Sequence, residues 1–358
     1  MEDKENSKRQ FSRRKFLGST ATLAAFSMVP FSLSSKSLPG EKKETGSNFG
    51  GVQIGAITYS WRSMPGGVDN VIKYCKEAGI SSIELMSNDV EDFLGAPKNP
   101  MAGMFGPPPP PPPPAPGATP AVAAPAPAGP PQRPELTQEQ KDAIAKYNLD
   151  LKAWRLSVPM SKFTEAKKMF DDAGIKIHIV KFSPSRWSDE EIDYAFNAAK
   201  ALGAKGVTEE IGEAAVKKLA PFAAKHGLYA IFHQHMQFAT PGFSYDPFLA
   251  VSPAVMINFD AGHFFGSTGI HPNTIIEKYH DRIISIHIKD KTGPKTVPAN
   301  TNQVWGQGEM PLADVLLLIK KNKWPIHCDV ELEYDVKPWS TAEKEVKTCV
   351  KYAKQILS

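Results

Sequence analysis

The chain has 358 residues, 41% hydrophobic and 22% charged, with a formal net charge of +4, an ordinary balance for a globular protein of one large or two smaller domains. Part of the positive charge sits in a basic leader, so the rest lacks the strongly basic face expected of a nucleic-acid-binding protein. Three cysteines (Cys75, Cys328 and Cys349) without CxxC spacing read as buried small hydrophobes and argue against a disulfide framework.

At the N-terminus, Ser12-Arg13-Arg14-Lys15-Phe16-Leu17 precedes a weakly apolar stretch that ends near Leu33. Paired arginines, Phe-Leu and a mild hydrophobic core are the pattern of a twin-arginine export signal over residues 1–35. The stretch is too short and too rich in Ser and Thr for a stable membrane span. A cleavable polar linker is expected over residues 36–50, and a periplasmic or secreted location follows.

From Gly51 strands and helices alternate. Val52 to Thr58 reads as a first strand, Val68 to Ala78 as a helix stopped by Gly79, and Ser81 to Met86 as a second strand with Glu84 in its interior. Residues 95–134 break the pattern with eight consecutive prolines, Pro107 to Pro114, and an Ala/Pro/Gly tail. No apolar face can form there, so the segment reads as a disordered, solvated polyproline-II insert within one domain.

Behind the insert, helices are expected at Leu136–Tyr147 and Ser161–Ala173, and a third strand at Ile175–Phe182. The fourth and fifth strands read Lys205–Glu210 and Leu228–His233, with helices Ser188–Leu202 and Glu213–Lys225 around them. The last three strands read Val255–His263, Ile283–Asp290 and His327–Tyr334, separated by helices at Pro272–Tyr279 and Leu312–Lys321, and Thr341–Ile356 closes the chain. Eight strands alternating with helices over residues 51–358 predict an α/β (β/α)8 TIM barrel. No glycine-rich phosphate loop follows the first strand, which disfavours a doubly wound sheet.

Strand C-termini of such a barrel converge on one face, and here they carry acids and imidazoles. Strand four offers Glu209 or Glu210, strand five His233 and His235, and strand six Asp260 and His263. Strand seven offers His287 and Asp290, and strand eight Glu331 or Glu333, with Asp329 deeper on the same face. Oxygen-rich ligands with one or two imidazoles suit Mn2+, Mg2+, Co2+ or Zn2+. Lys289 and Asp290 also fit a structural pair. Lys181 is placed to pair with a carboxylate or bind a substrate oxygen, and Trp61 to stack on a sugar face or fill the core.

Taken in order, Phe232-His233-Gln234-His235, Asp260-Ala261-Gly262-His263, His287-Ile288-Lys289-Asp290, Gly306-Gln307-Gly308 and Glu331-Leu332-Glu333-Tyr334 resemble the xylose-isomerase-like barrel superfamily of sugar isomerases and epimerases. The resemblance covers Gly51 to Ser358 apart from the insert. It implies a divalent metal held by Glu210, Asp260, His287 and Glu331, although several relatives carry a glutamate where this chain has His233. It further implies enediolate chemistry on a free or keto sugar, with Glu210 and Glu331 exchanging the proton, assisted by His235 and Lys181. His233, His263, Lys289 and Trp61 are then substrate-binding candidates, and barrels of this kind often form homodimers. The closest alternative is β-elimination at the same site, by a periplasmic 3-keto-glycoside lyase or dehydratase. An apurinic endonuclease would call for more histidines and a basic face, and a non-catalytic sugar-binding protein would not need the metal-type residues.

Overall fold

The computed structural model describes residues 46–101 and 135–358. The export signal and nearly all of the proline-rich insert lie outside the described residues. Eight strands build the centre: β1 Val52–Ile57, β2 Ser82–Met86, β3 Lys176–Lys181, β4 Gly206–Glu210, β5 Tyr229–His233, β6 Val255–Asp260, β7 Ile283–Ile288 and β8 His327–Val330. Each pairs in parallel with the next, and β8 pairs with β1 to close the ring. This is a (β/α)8 TIM barrel. Strands such as β6 and β7 are buried at every residue, because barrel contents cover one face and helices the other.

The surrounding helices begin and end where local chemistry dictates. Helix Val68–Ala78 stops at Gly79, whose φ of 78° lies in the left-handed region that glycine adopts without steric cost. Helix Gln138–Ser157 starts on a reciprocal cap, in which Thr137 Oγ1 accepts from the Gln140 amide and Gln140 Oε1 accepts from the Thr137 amide. That helix runs ten residues beyond the expected Tyr147 because its last turns carry an anchor. Arg155 is buried against Glu91 (Nε to Oε1 2.8 Å, Nη2 to Oε2 3.2 Å) and lies 3.6 Å over the Trp187 ring. Tyr194 donates to Glu91 at 2.9 Å, so the network joins three helices.

The structure corrects several expected boundaries. Asn48–Phe49, read as linker, forms a short strand antiparallel to the start of β1, since Phe49 is buried and the Ser47 hydroxyl donates to the Ile54 carbonyl. Ala96 and Met101, read as the start of the insert, are buried. β6, β7 and β8 end at Asp260, Ile288 and Val330, short of the expected His263, Asp290 and Tyr334. Helices Ser87–Phe93 and Ala261–Thr268 were not foreseen. The three cysteines are buried free thiols.

Inside the barrel, polar residues collect at both ends. At the N-terminal end, the Asp329 Oδ2 is 2.9 Å from His178 Nε2 and also accepts from the Ser285 hydroxyl. The Ser82 hydroxyl bridges His178 Nδ1 (3.0 Å) and His327 Nδ1 (2.9 Å), and the two imidazoles stack with centroids 4.0 Å apart. Gly55 makes room for this group, because a Cβ there would lie 2.1 Å from Asp329 Oδ1. Ile179, Ile231, Met256 and Ile284 form an apolar cluster separate from the main core. By the two-residue strand period, Ile231 and Met256 share the face of His233 and Asp260.

Two predictions concern stability. Arg155→Met strands Glu91 and should cost about 3–5 kcal/mol in urea unfolding, and adding Glu91→Gln should recover part of it. A double variant no more stable than the single one would contradict the pairing. For His327, burial first, then His178, Lys205 and Lys176, push the imidazole down to about 2 against the pull of Asp329. The unfolded chain then binds the extra proton between pH 2 and 6.5, so this contribution is complete above pH 6.5 and is lost as pH falls. In phosphate-free buffer, His327→Asn should flatten the stability profile below pH 6.5 by up to about 1.4 kcal/mol per pH unit. An unchanged slope would show that His327 charges freely in the folded protein.

Candidate metal centre at the strand ends

At the C-terminal mouth, β5 to β8 each contribute one side chain to a compact group. His233, Asp260, His287 and Glu331 are all buried, and each offers one ligand atom such that all lie within 4.8 Å of one another. His287 is the pivot. Its Nε2 lies 2.7 Å from Glu84 Oε2 and its Nδ1 2.8 Å from Glu331 Oε2. Burial opposes its charge, but Glu331 and Glu84 raise its pKa well above the ordinary histidine value. Glu84 is held in turn by Thr208 and Asn258, which each donate at 2.8 Å. Despite complete burial, His287, then Lys181 and Thr208, bring its carboxyl down to about 2.

His233 is arranged in the same way. Its Nδ1 is 3.3 Å from Glu210 Oε2 and its Nε2 3.3 Å from Asp260 Oδ2. Each imidazole therefore has one carboxylate behind it and faces a second carboxylate in the group, the arrangement that orients metal-bound histidines. Asp260 is positioned by the unforeseen helix Ala261–Thr268. Its Oδ1 caps that helix by accepting from the His263 amide at 2.7 Å, which leaves Oδ2 free for the group. Gln234 locks the Asp260 backbone, accepting from its N–H at 3.0 Å and donating to its carbonyl at 2.6 Å.

Lys289 sits among the acids. Its Nζ is 2.8 Å from Asp260 Oδ2, 2.6 Å from Glu331 Oε2 and 2.7 Å from Glu333 Oε2. Burial disfavours the ammonium, but the three carboxylates outweigh it and raise its pKa. Gly262 is required for this packing, since a Cβ there would fall 2.1 Å from Lys289 Cγ. His287 Nδ1 and Glu331 Oε2 make no aligned hydrogen bond although they are only 2.8 Å apart. An imidazole nitrogen and a carboxylate oxygen this close, beside a second imidazole and a second carboxylate, fit a divalent ion with mixed N/O ligands.

The sequence candidates divide accordingly. Asp260, His287 and Glu331 stand in the four-residue group, and His233, read as a substrate ligand, holds the fourth place instead of Glu210. Glu210 lies beside the group in a second cluster with His233 and His235. It pairs with Lys181 at 2.6 Å and His235 at 3.1 Å. Against partial burial, His233, His235 and Lys181 hold its carboxyl far below the usual range. Glu209 turns away and accepts from the Ser185 and Glu210 amides. Glu333 faces the mouth through Lys289. His263 lies 3.5 Å from Glu333 and 3.7 Å from Asp260, and burial brings its pKa down to about 4, with Lys289 and Lys291 also lowering it against the pull of Asp260. Trp61 takes its core alternative, packed on Tyr74 with centroids 5.7 Å apart. Asp290 is structural, accepting the amides of Gly306, Gly308 and Met310. Asp329 belongs to the opposite end.

Sequence reasoning did not assign Glu84, Asn258, Gln234 or Lys291 to the site. Glu84 carried the clearest signal, an acid in the interior of a buried strand with no neighbour in sequence to neutralise it.

Removing the central cation tests the charge balance. Lys289→Ala should lower the melting temperature of metal-free protein, and Mn2+ should restore more stability to the variant than it gives the wild type. Equal melting temperatures without metal would show that the three acids do not depend on Lys289.

No curated protein matches the chain in sequence. Its fold is similar to that of a sugar phosphate isomerase/epimerase from Parabacteroides distasonis, at 18% identity and a TM-score of 0.50, covering 86% of this chain and 96% of that one. A probable 3-DHS dehydratase from Bacillus anthracis aligns at 12% identity and a TM-score of 0.52, over 84% and 98% of the two chains. A D-psicose 3-epimerase from Clostridium cellulolyticum, solved with D-tagatose, aligns at 9% identity and a TM-score of 0.51, over 86% and 100%. The pattern that defines the xylose isomerase-like TIM barrel matches residues 142–355, more than half of the sequence, and the chain belongs to that family.

Proposed function

We propose that this protein is a divalent-metal-dependent isomerase or epimerase that removes a proton beside the carbonyl of a free or keto sugar. The observation that supports this most directly is the buried group of His233, Asp260, His287 and Glu331, with the imidazoles backed by Glu210 and Glu84. A divalent ion bound there would polarise a carbonyl and a neighbouring hydroxyl and acidify the C–H between them.

The remaining roles fall to the chain itself. Glu331 is the base, a carboxylate held ionised by Lys289 and His287 despite burial. Lys289 stays cationic and donates to the oxygen on which enediolate charge develops. Glu210, held ionised by Lys181, His233 and His235, positions His233, and the half-exposed His235 at the mouth relays the returning proton from solvent. Neutral His263 accepts a substrate hydroxyl. The twin-arginine pattern would place this chemistry outside the inner membrane, where non-phosphorylated sugars are the natural substrates.

One feature favours a second reading, β-elimination from a keto-glycoside. An imidazole, His233, stands where a carboxylate would complete a symmetric pair of bases, so the two walls of the site differ chemically. Asymmetry suits a reaction that removes a proton on one side and releases a leaving group on the other.

NMR of metal-loaded protein in D2O with ketoses, aldoses and 3-keto-glycosides tests both. Exchange is expected at the carbon beside the carbonyl, abolished by chelator and reduced about 10²–10⁴-fold in Glu331→Gln. A rearranged sugar would identify the isomerase and a released aglycone the lyase. Stoichiometric metal without exchange on any substrate would refute the proposal.

A further inference from the structure

The opposite end of the barrel holds a cleft that the chemistry above does not use. It has a volume of about 420 Å³ and is lined by residues at the starts of the strands, among them Ser82, Lys176, Lys205, Lys323, Trp324 and His327. Lys176 and Lys205 flank β3 and β4, and Lys323 ends helix Leu312–Asn322 in a left-handed conformation, with φ of 55°. None of the three lysines has a carboxylate within ion-pair distance among the described residues, whereas surface lysines such as Lys168, Lys218 and Lys225 do. Lys205 is half-buried, and burial together with neighbouring Lys176 lowers its pKa. Cations gathered without a counter-charge repel one another, and the arrangement becomes favourable when an anion lies between them.

The floor of the cleft supplies directional partners. His327 is 9% exposed and uses Nδ1 on Ser82 at 2.9 Å. Among the described residues its Nε2 has no protein partner. The acid on the same strand, Asp329, is occupied by His178 and Ser285 and tucked against Gly55, so it does not neutralise the lysines. The proton along the relay from Asp329 through His178 and Ser82 can leave His327 Nε2 either as donor or as acceptor. Monohydrogen phosphate satisfies both cases, since its oxygens accept and its hydroxyl donates. A halide or a carboxylate satisfies only the first.

We propose that this N-terminal cleft is a phosphate site, with Lys176, Lys205 and Lys323 around the anion and His327 beneath it. The site lies at the other end of β8 from Glu331, so it is separate from the candidate metal centre and does not depend on the function assigned to that centre.

Isothermal titration of the folded protein with inorganic phosphate, at constant ionic strength in chloride, tests the assignment. Saturable binding with one phosphate per chain is expected. The double substitution Lys176→Gln/Lys205→Gln should weaken it about tenfold or more, and Glu331→Gln should leave it unchanged. Lys323→Gln, on an exposed helix end, is a second variant whose folding is secure, and it should weaken binding in the same direction. A phosphate monoester such as glycerol phosphate would distinguish the sources. Tighter binding of the ester assigns the cleft to a phosphorylated small molecule, and equal or weaker binding assigns it to the free ion. Absence of saturable binding, binding indifferent to the lysine substitutions, or binding lost in Glu331→Gln would overturn the proposal.

Discussion

The ammonium of Lys289, buried among Asp260, Glu331 and Glu333, is the interaction on which the mouth of the barrel depends. Several ionised carboxylates cannot share a dry site without compensation, because each would carry an uncompensated desolvation cost of several kcal/mol. Here the acids Glu84, Glu210, Asp260, Glu331 and Glu333 are interleaved with Lys181, Lys289, His233 and His287. Neighbours therefore alternate in sign around the strand ends. The alternation explains why both carboxylates and imidazoles depart from their ordinary protonation in the direction that keeps charge, although burial alone would remove it.

Much of this was legible in the sequence. The barrel followed from eight apolar β-branched runs separated by helical spacing, and Asp260, His287 and Glu331 stood among the ionisable residues at the ends of such runs, singled out by the family resemblance. What the sequence could not show was which way each side chain faces when strands slip. The pairing of β2 with β3 shifts register at Ile83/Glu84, and that of β6 with β7 shifts at Ile257/Asn258. Period-two reasoning fails across such irregularities. Glu84 was passed over for a different reason, since the imidazole that holds its charge, His287, lies 203 residues away. Trp61 and Asp290 show a different limit. Both are site-type residues near strand ends, and only the path of the following loop turns one into the core and the other onto the amides of Gly306 and Gly308.

The N-terminal end of a TIM barrel usually serves stability, and in this chain that role is chemically expensive. Ser82, His178, His327, Ser285 and Asp329 could be replaced in principle by apolar side chains of similar volume, often at no cost in stability. The group instead needs a glycine at position 55 and a stacked pair of imidazoles. Four apolar residues, Ile179, Ile231, Met256 and Ile284, form their own cluster within the strands, and His327 and Glu331 are separated by about 13 Å of extended chain. The two polar ends are thus distinct groups built on one strand, and the cost of the lower one is understandable if it faces a ligand.

The same lysine also determines what metal binding can mean for this fold. In sites where ligands repel one another until an ion arrives, binding energy becomes folding energy and the metal-free protein is unstable. Lys289 removes that dependence, because its ammonium already lies 2.6–2.8 Å from the acids that would coordinate the ion. A divalent cation must then displace a charge as well as fill a space, and at least one proton must leave His233 or His287 before its nitrogen can coordinate. Loading becomes an exchange of cations and protons on a framework that is already folded. Such an exchange would lower the apparent affinity for a divalent ion at low pH, and it would let the barrel fold before an ion binds.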